Sequence, residues 1–136
     1  ENVFHKTGIN LIHDCIPTGD VKENAEKWDG VMEALRALAT EKSGVKRVIV
    51  DSVDKLEILA QAKVCSLHKL ASIEDMGYGK GYIYSRGEMA KLLSGLNYLR
   101  DTQAIQPILV CHTQIRTINK PTMEPYDSFI LKLHKY

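Results

Sequence analysis

Val48-Ile49-Val50-Asp51-Ser52 is the stretch on which the fold of this chain turns. Its apolar, mostly β-branched residues run without alternation, with Val45 just upstream, and end on an acid and a hydroxyl. A second run, Ile108-Leu109-Val110-Cys111, ends on His112-Thr113-Gln114. Unalternated apolar strands with helices between them point to a parallel sheet covered on both faces. In such sheets ligands sit outside the carboxyl ends of the strands. Asp51, Ser52, His112 and Gln114 are therefore expected along one edge. No Gly-x-x-x-x-Gly-Lys-[Ser/Thr] phosphate loop occurs in the sequence.

Around these strands the periodicity is helical. Asp20 and Glu23 form an Asp-x-x-Glu cap after the turn Pro17-Thr18-Gly19-Asp20. Trp28, Val31, Met32, Leu35 and Leu38 then mark a helix through about Thr40, ended by Ser43-Gly44. A strand from about Val45 to Asp51 leads to a helix from Val53 to about Leu70. Met76 to Tyr84 holds three glycines and three tyrosines and reads as a loop. Ser85-x-x-Glu88 reads as a capping box opening a helix striped by Met89, Leu92, Leu93, Leu96 and Leu99. Pro107 opens the next strand, Thr117 to Pro125 reads as a loop, and Ser128 to Leu133 as a final strand. Val3-Phe4 and Ile9 to Ile12 are candidate short strands. The order is that of an α/β domain. Residues 1–136 read as a single domain whose sheet is thin, as in a piece of a larger one.

Composition removes several classes. A net charge of +1 gives no bulk attraction to nucleic acid, so any such site must be a local basic patch. The cysteines Cys15, Cys65 and Cys111 lack metal or redox spacing, which points to a reducing cytoplasm. His5, His13 and His68 show no metal spacing with one another. No segment approaches the ~18 apolar residues of a membrane span. Glu1-Asn2-Val3-Phe4 shows no basic-then-apolar signal pattern.

Each candidate residue has a chemical and a structural reading. Asp51 could hold Mg²⁺ through water, the metal bridging phosphate oxygens, or it could cap the helix near Val53. His112 and Gln114 could sense a γ-phosphate or orient a water, or they could satisfy local backbone groups. In Gly77-Tyr78-Gly79-Lys80-Gly81-Tyr82-Ile83-Tyr84, the lysine offers a phosphate contact and the tyrosines stack on unpaired bases. That stretch could equally be a surface loop whose tyrosines pack on the domain. Lys132 and Lys135 could reach a phosphate on a neighbouring subunit or form a solvated basic end.

In this order, the Val48–Ser52 strand, the Gly77–Gly81 loop, the Ile108–Arg116 strand, Glu124–Asp127 and Lys132–Lys135 resemble the phage-encoded RecA-like ATPases. That group includes single-strand annealing recombinases, and the likeness covers roughly residues 28–135. It implies an α/β, RecA-like P-loop NTPase core, here partial, with a mostly parallel sheet flanked by helices. It further implies ATP and Mg²⁺ as cofactors, homo-oligomers as rings or filaments, and action on single-stranded DNA in the cytoplasm of a bacterial host. Asp51 would be the Walker B acid linked to Mg²⁺ through water, with Ser52 its companion. His112 and Gln114 would couple the γ-phosphate to DNA-binding loops. Lys132 and Lys135 would reach a neighbour's nucleotide. Tyr78, Lys80, Tyr82 and Arg116 would face DNA. The chain departs from the group where an acid is expected, at Phe4-His5-Lys6-Thr7, and in lacking the phosphate loop.

The resulting expectation is an ATP-binding core segment of a recombination protein, inactive in hydrolysis on its own for want of that loop. The alternative is a non-catalytic RecA-like module for assembly or DNA binding. A small-molecule kinase shares the sheet and the acid, but no acceptor pocket is legible.

Overall fold

A computed structural model describes residues 15–40 and 44–134. The first helix, α1 (Val21–Thr40), begins where the Asp20 carboxylate accepts the Glu23 backbone N–H at 2.7 Å, the expected cap. Its stripe Ala25, Trp28, Val31, Leu35 and Leu38 is buried, as the spacing requires. Strand β1 (Arg47–Asp51) runs into α2 (Val53–His68), and a short 3₁₀ turn, Ile73–Met76, leads to α3 (Lys80–Gln103). Strand β2 (Gln106–Val110) returns beside β1 in parallel, with Ile49 opposite Ile108 and Asp51 opposite Val110.

Trp28, Leu56, Leu59, Leu92 and Leu99 form the centre of a core contributed by all three long helices. Each such side chain contributes about 1.5–3 kcal/mol by leaving water. Val48 joins this core, whereas Ile49, Ile108 and Val110, on the opposite face of the two strands, are 37–52% exposed. The parallel pairing is as the sequence implies. Among the described residues, helices cover one face of the sheet and not both.

The glycine- and tyrosine-rich stretch is mostly helix. Gly79 takes a left-handed φ of 69° as the N-cap of α3, and Lys80 to Tyr84 are its first residues. Gly81 serves a different purpose, because a Cβ there would collide with the Ile73 carbonyl oxygen. The spacing of these glycines therefore reflects a turn and a close helix packing rather than a mobile loop. The capping box read at Ser85 is corrected as a result. Ser85 is fully buried inside α3, and Glu88 accepts the Trp28 indole N–H at 3.1 Å.

The loop expected from Thr117 to Pro125 is instead the turn of a hairpin. Strands β3 (Thr113–Lys120) and β4 (Met123–Leu131) pair antiparallel as a second, separate sheet. Pro125 sits where the register slips between the Ile118–Tyr126 and Lys120–Met123 pairs. A residue without an N–H is tolerated at such a bulge. The strands suggested near residues 3–12, together with His5, His13 and Lys135, lie outside the described residues. No helix among the described residues is long and apolar enough to cross a membrane.

Candidate functional site

The carboxyl ends of β1 and β2 lie side by side, and each leaves the sheet carrying polar groups. Asp51 closes β1 with its side chain exposed, opposite Val110. Ser52 follows as the N-cap of α2, in extended conformation, with its carbonyl accepting from Lys55 and Leu56 at 3.1 and 3.2 Å. Its hydroxyl is buried and reaches no hydrogen bond of sound geometry, though it lies close enough to Asp54 to help hold that group charged. Neither Asp51 nor Ser52 supplies a side-chain cap to the helix, which leaves the Asp51 carboxylate available to a ligand.

Two acids that sequence reasoning passed over organise this edge. Asp54 and Glu57 stand one turn apart in α2, 7% and 6% exposed. Asp54 Oδ1 accepts the backbone N–H of His112 at 3.2 Å, and both carboxylate oxygens lie 3.0 Å from His112 Nδ1. Burial alone would push the Asp54 acid up. The His112 backbone N–H, the Ser52 hydroxyl, the His112 ring and its own backbone N–H outweigh that and hold it well below the usual carboxylate range. Glu57 accepts the His134 backbone N–H with both oxygens, at 2.9 and 3.1 Å.

These contacts mount the hairpin on α2. His112 is the residue before β3, and His134 lies just beyond β4. The Lys132 N–H donates to the His112 carbonyl at 2.8 Å and joins the two ends. The Tyr82 ring stacks on His134 at 3.6 Å between centroids and 4° between planes, and its hydroxyl donates to Glu74 at 3.3 Å. Burial, then the charges of Glu74 and Glu57 and the bond to Glu74, raise the Tyr82 phenol. Burial also raises the Cys111 thiol, with the Asp54 charge adding to it.

The expected site residues therefore separate into groups. Asp51, Ser52 and His112 gather at the sheet edge. Gln114 and Arg116 share one face of the hairpin and line a shallow concavity of about 390 Å³ with Ile130, Leu133 and His134. Tyr78 is fully exposed, and Lys80 starts α3, also exposed. Tyr82, by contrast, already has a stacking partner within the chain. Lys132 is exposed, and its backbone rather than its ammonium closes the hairpin. The signal for Asp54 and Glu57 was present in the sequence. Both fall inside the apolar face of α2, alongside Val53, Leu56 and Ala60, where an acid needs a partner.

A water-linked Mg²⁺ can be tested against these residues. Among the described residues there is no cluster of three or more His, Cys, Asp or Glu side chains able to hold a metal. Mg²⁺ in nucleotide sites keeps several waters and takes one or two carboxylates besides phosphate oxygens. One exposed carboxylate, that of Asp51, fits that demand, and an all-protein cage does not.

Searches of curated proteins and of solved structures return no match. The AAA domain family matches residues 10–136, nearly the whole chain. The chain belongs to that family, whose members are of the P-loop, nucleotide-binding ATPase type.

Proposed function

We propose that this AAA-family chain is the ATP- and Mg²⁺-binding segment of a RecA-like recombination protein of the phage type, acting on single-stranded DNA as a homo-oligomer. The observation that carries the nucleotide reading is the exposed Asp51 carboxylate at the end of a parallel strand, next to a strand whose exit holds His112 on a buried acid. Asp51 would hold Mg²⁺ through water, and the metal would neutralise phosphate charge. Ser52 would stand beside it, and His112 would face the same edge. The phosphate-cradling loop is not in this sequence, so binding without turnover is the expected behaviour of these residues alone.

The DNA reading rests on Tyr78 and Lys80, exposed at the start of α3, and on Arg116 in the hairpin. Tyr82 supports it only if DNA displaces His134 from its ring. Lys132 and Lys135 keep the role of reaching a neighbour's nucleotide as part of the same proposal.

Calorimetry of Mg²⁺-ATP binding tests the nucleotide reading, with Asp51→Ala alongside. The expected result is magnesium-dependent binding that the substitution abolishes, with no release of phosphate. A folded chain that ignores nucleotide would sink it and leave a non-catalytic assembly or DNA-binding module. For DNA, Lys80→Ala and Tyr78→Ala should weaken single-strand binding and reduce its dependence on salt.

A further inference from the structure

We infer that Asp54 is a positioning residue for His112, and that the pair presents the ring's Nε2 as a hydrogen-bond acceptor at the carboxyl edge of the β1–β2 sheet. An ionised carboxylate can only accept hydrogen bonds. With both Asp54 oxygens 3.0 Å from Nδ1, that nitrogen must carry the proton. The lone pair of the neutral ring then sits on Nε2. The His112 backbone N–H is bound to the same carboxylate at 3.2 Å, so main chain and ring are fixed together. The His112 side chain is 61% exposed, whereas Asp54 lies beneath it at 7%. The buried member of the pair orients, and the exposed member meets the ligand.

The tautomer selects the partner. A phosphate oxygen has no proton to donate to an accepting nitrogen, whereas a water or a hydroxyl has. Of the two roles open to His112 from the sequence, the geometry of the neutral ring suits holding a water or hydroxyl at the edge rather than sensing a bare phosphate. Placing that water beside a nucleotide rests on the function proposed above; the tautomer itself does not.

The test is a long-range ¹H–¹⁵N spectrum of the histidine rings in the uniformly labelled chain without nucleotide, with His112 assigned from His112→Ala. The expected neutral ring has a protonated, pyrrole-type Nδ1 and a bare, pyridine-type Nε2. Asp54→Ala removes both oxygens that lie 3.0 Å from Nδ1 and should release the ring from this form. The two nitrogens should then move toward the averaged shifts of a ring with no fixed tautomer. A protonated Nε2 on the neutral ring of the unsubstituted chain overturns the inference, as does a spectrum unchanged by Asp54→Ala. The unsubstituted spectrum decides the tautomer even if the variant does not fold. Loss of nucleotide binding in calorimetry would leave this result untouched, so the two failures are distinguishable.

Discussion

Replacing Glu57 with Ala should loosen the hairpin while leaving the helical core intact. The structure sets the size of the effect. Glu57 accepts the His134 backbone N–H with both oxygens, at 2.9 and 3.1 Å. A hydrogen bond to a charged acceptor contributes about 1.5–3 kcal/mol. His134 is exposed, so its freed N–H can turn to water, and removing a buried charge recovers some desolvation cost. The net loss should therefore be about 1–2 kcal/mol, or about 5–30-fold in the docking equilibrium. Asp54 still holds the entry to β3, so the hairpin should open at its β4 end without detaching. Hydrogen exchange read by mass spectrometry checks this. Peptides covering residues 123–134 should exchange faster by about that factor, and peptides from α1 and the middle of α3 should not change. Glu57→Gln keeps an acceptor oxygen and should stay close to the parent. Uniform acceleration over the whole chain, or none anywhere, would refute the view that Glu57 mounts the hairpin.

Three further outcomes follow from the same contacts. Gly81→Ala should destabilise by about 1–3 kcal/mol through its collision with the Ile73 carbonyl, whereas Gly87→Ala, in open space on the same helix, should stabilise by up to about 1 kcal/mol. Urea midpoints of opposite sign would bear this out. Because the folded state holds Asp54 below its usual range, the unfolded chain binds that proton more readily. The contribution is complete above the ordinary aspartate value of about 3.9 and is lost as pH falls below it, so Asp54→Asn should flatten the acid limb of Tm against pH, and parallel limbs would contradict it. Cys65 is buried, and burial followed by the Asp75 charge raises its thiol, so iodoacetamide followed by mass spectrometry should modify the partly exposed Cys15 first.

The fold was legible where one local rule acted alone. The Trp28 stripe and the Asp20 cap fixed α1 closely, and the two unalternated runs identified β1 and β2 and their parallel pairing. The reading failed where residues had tertiary reasons. Gly81 looks like loop chemistry but is demanded by the approach of Ile73, a residue eight positions back along a chain that turns on itself. Pro121 and Pro125 look like breakers of a strand, yet one stands in the hairpin turn and the other at the register slip. Local propensity cannot distinguish a proline that ends a strand from one that occupies its bulge.

The candidate site was half legible for a related reason. Asp51 and His112 could be placed on one edge because strand ends share an edge in any parallel pair. What holds His112 there came from neither strand. Asp54 and Glu57 occupy the apolar stripe of α2, and taken with Val53, Leu56 and Ala60 they are the two positions that break it. A charge in such a stripe is costly unless something reaches it, so each break marks the arrival of another part of the chain. Here both arrivals are backbone N–H groups at the two ends of one hairpin. Two acids one helical turn apart, on the helix that starts where the acid-ended strand stops, thus carry long-range information about tertiary structure that no strand or loop motif in this sequence contains.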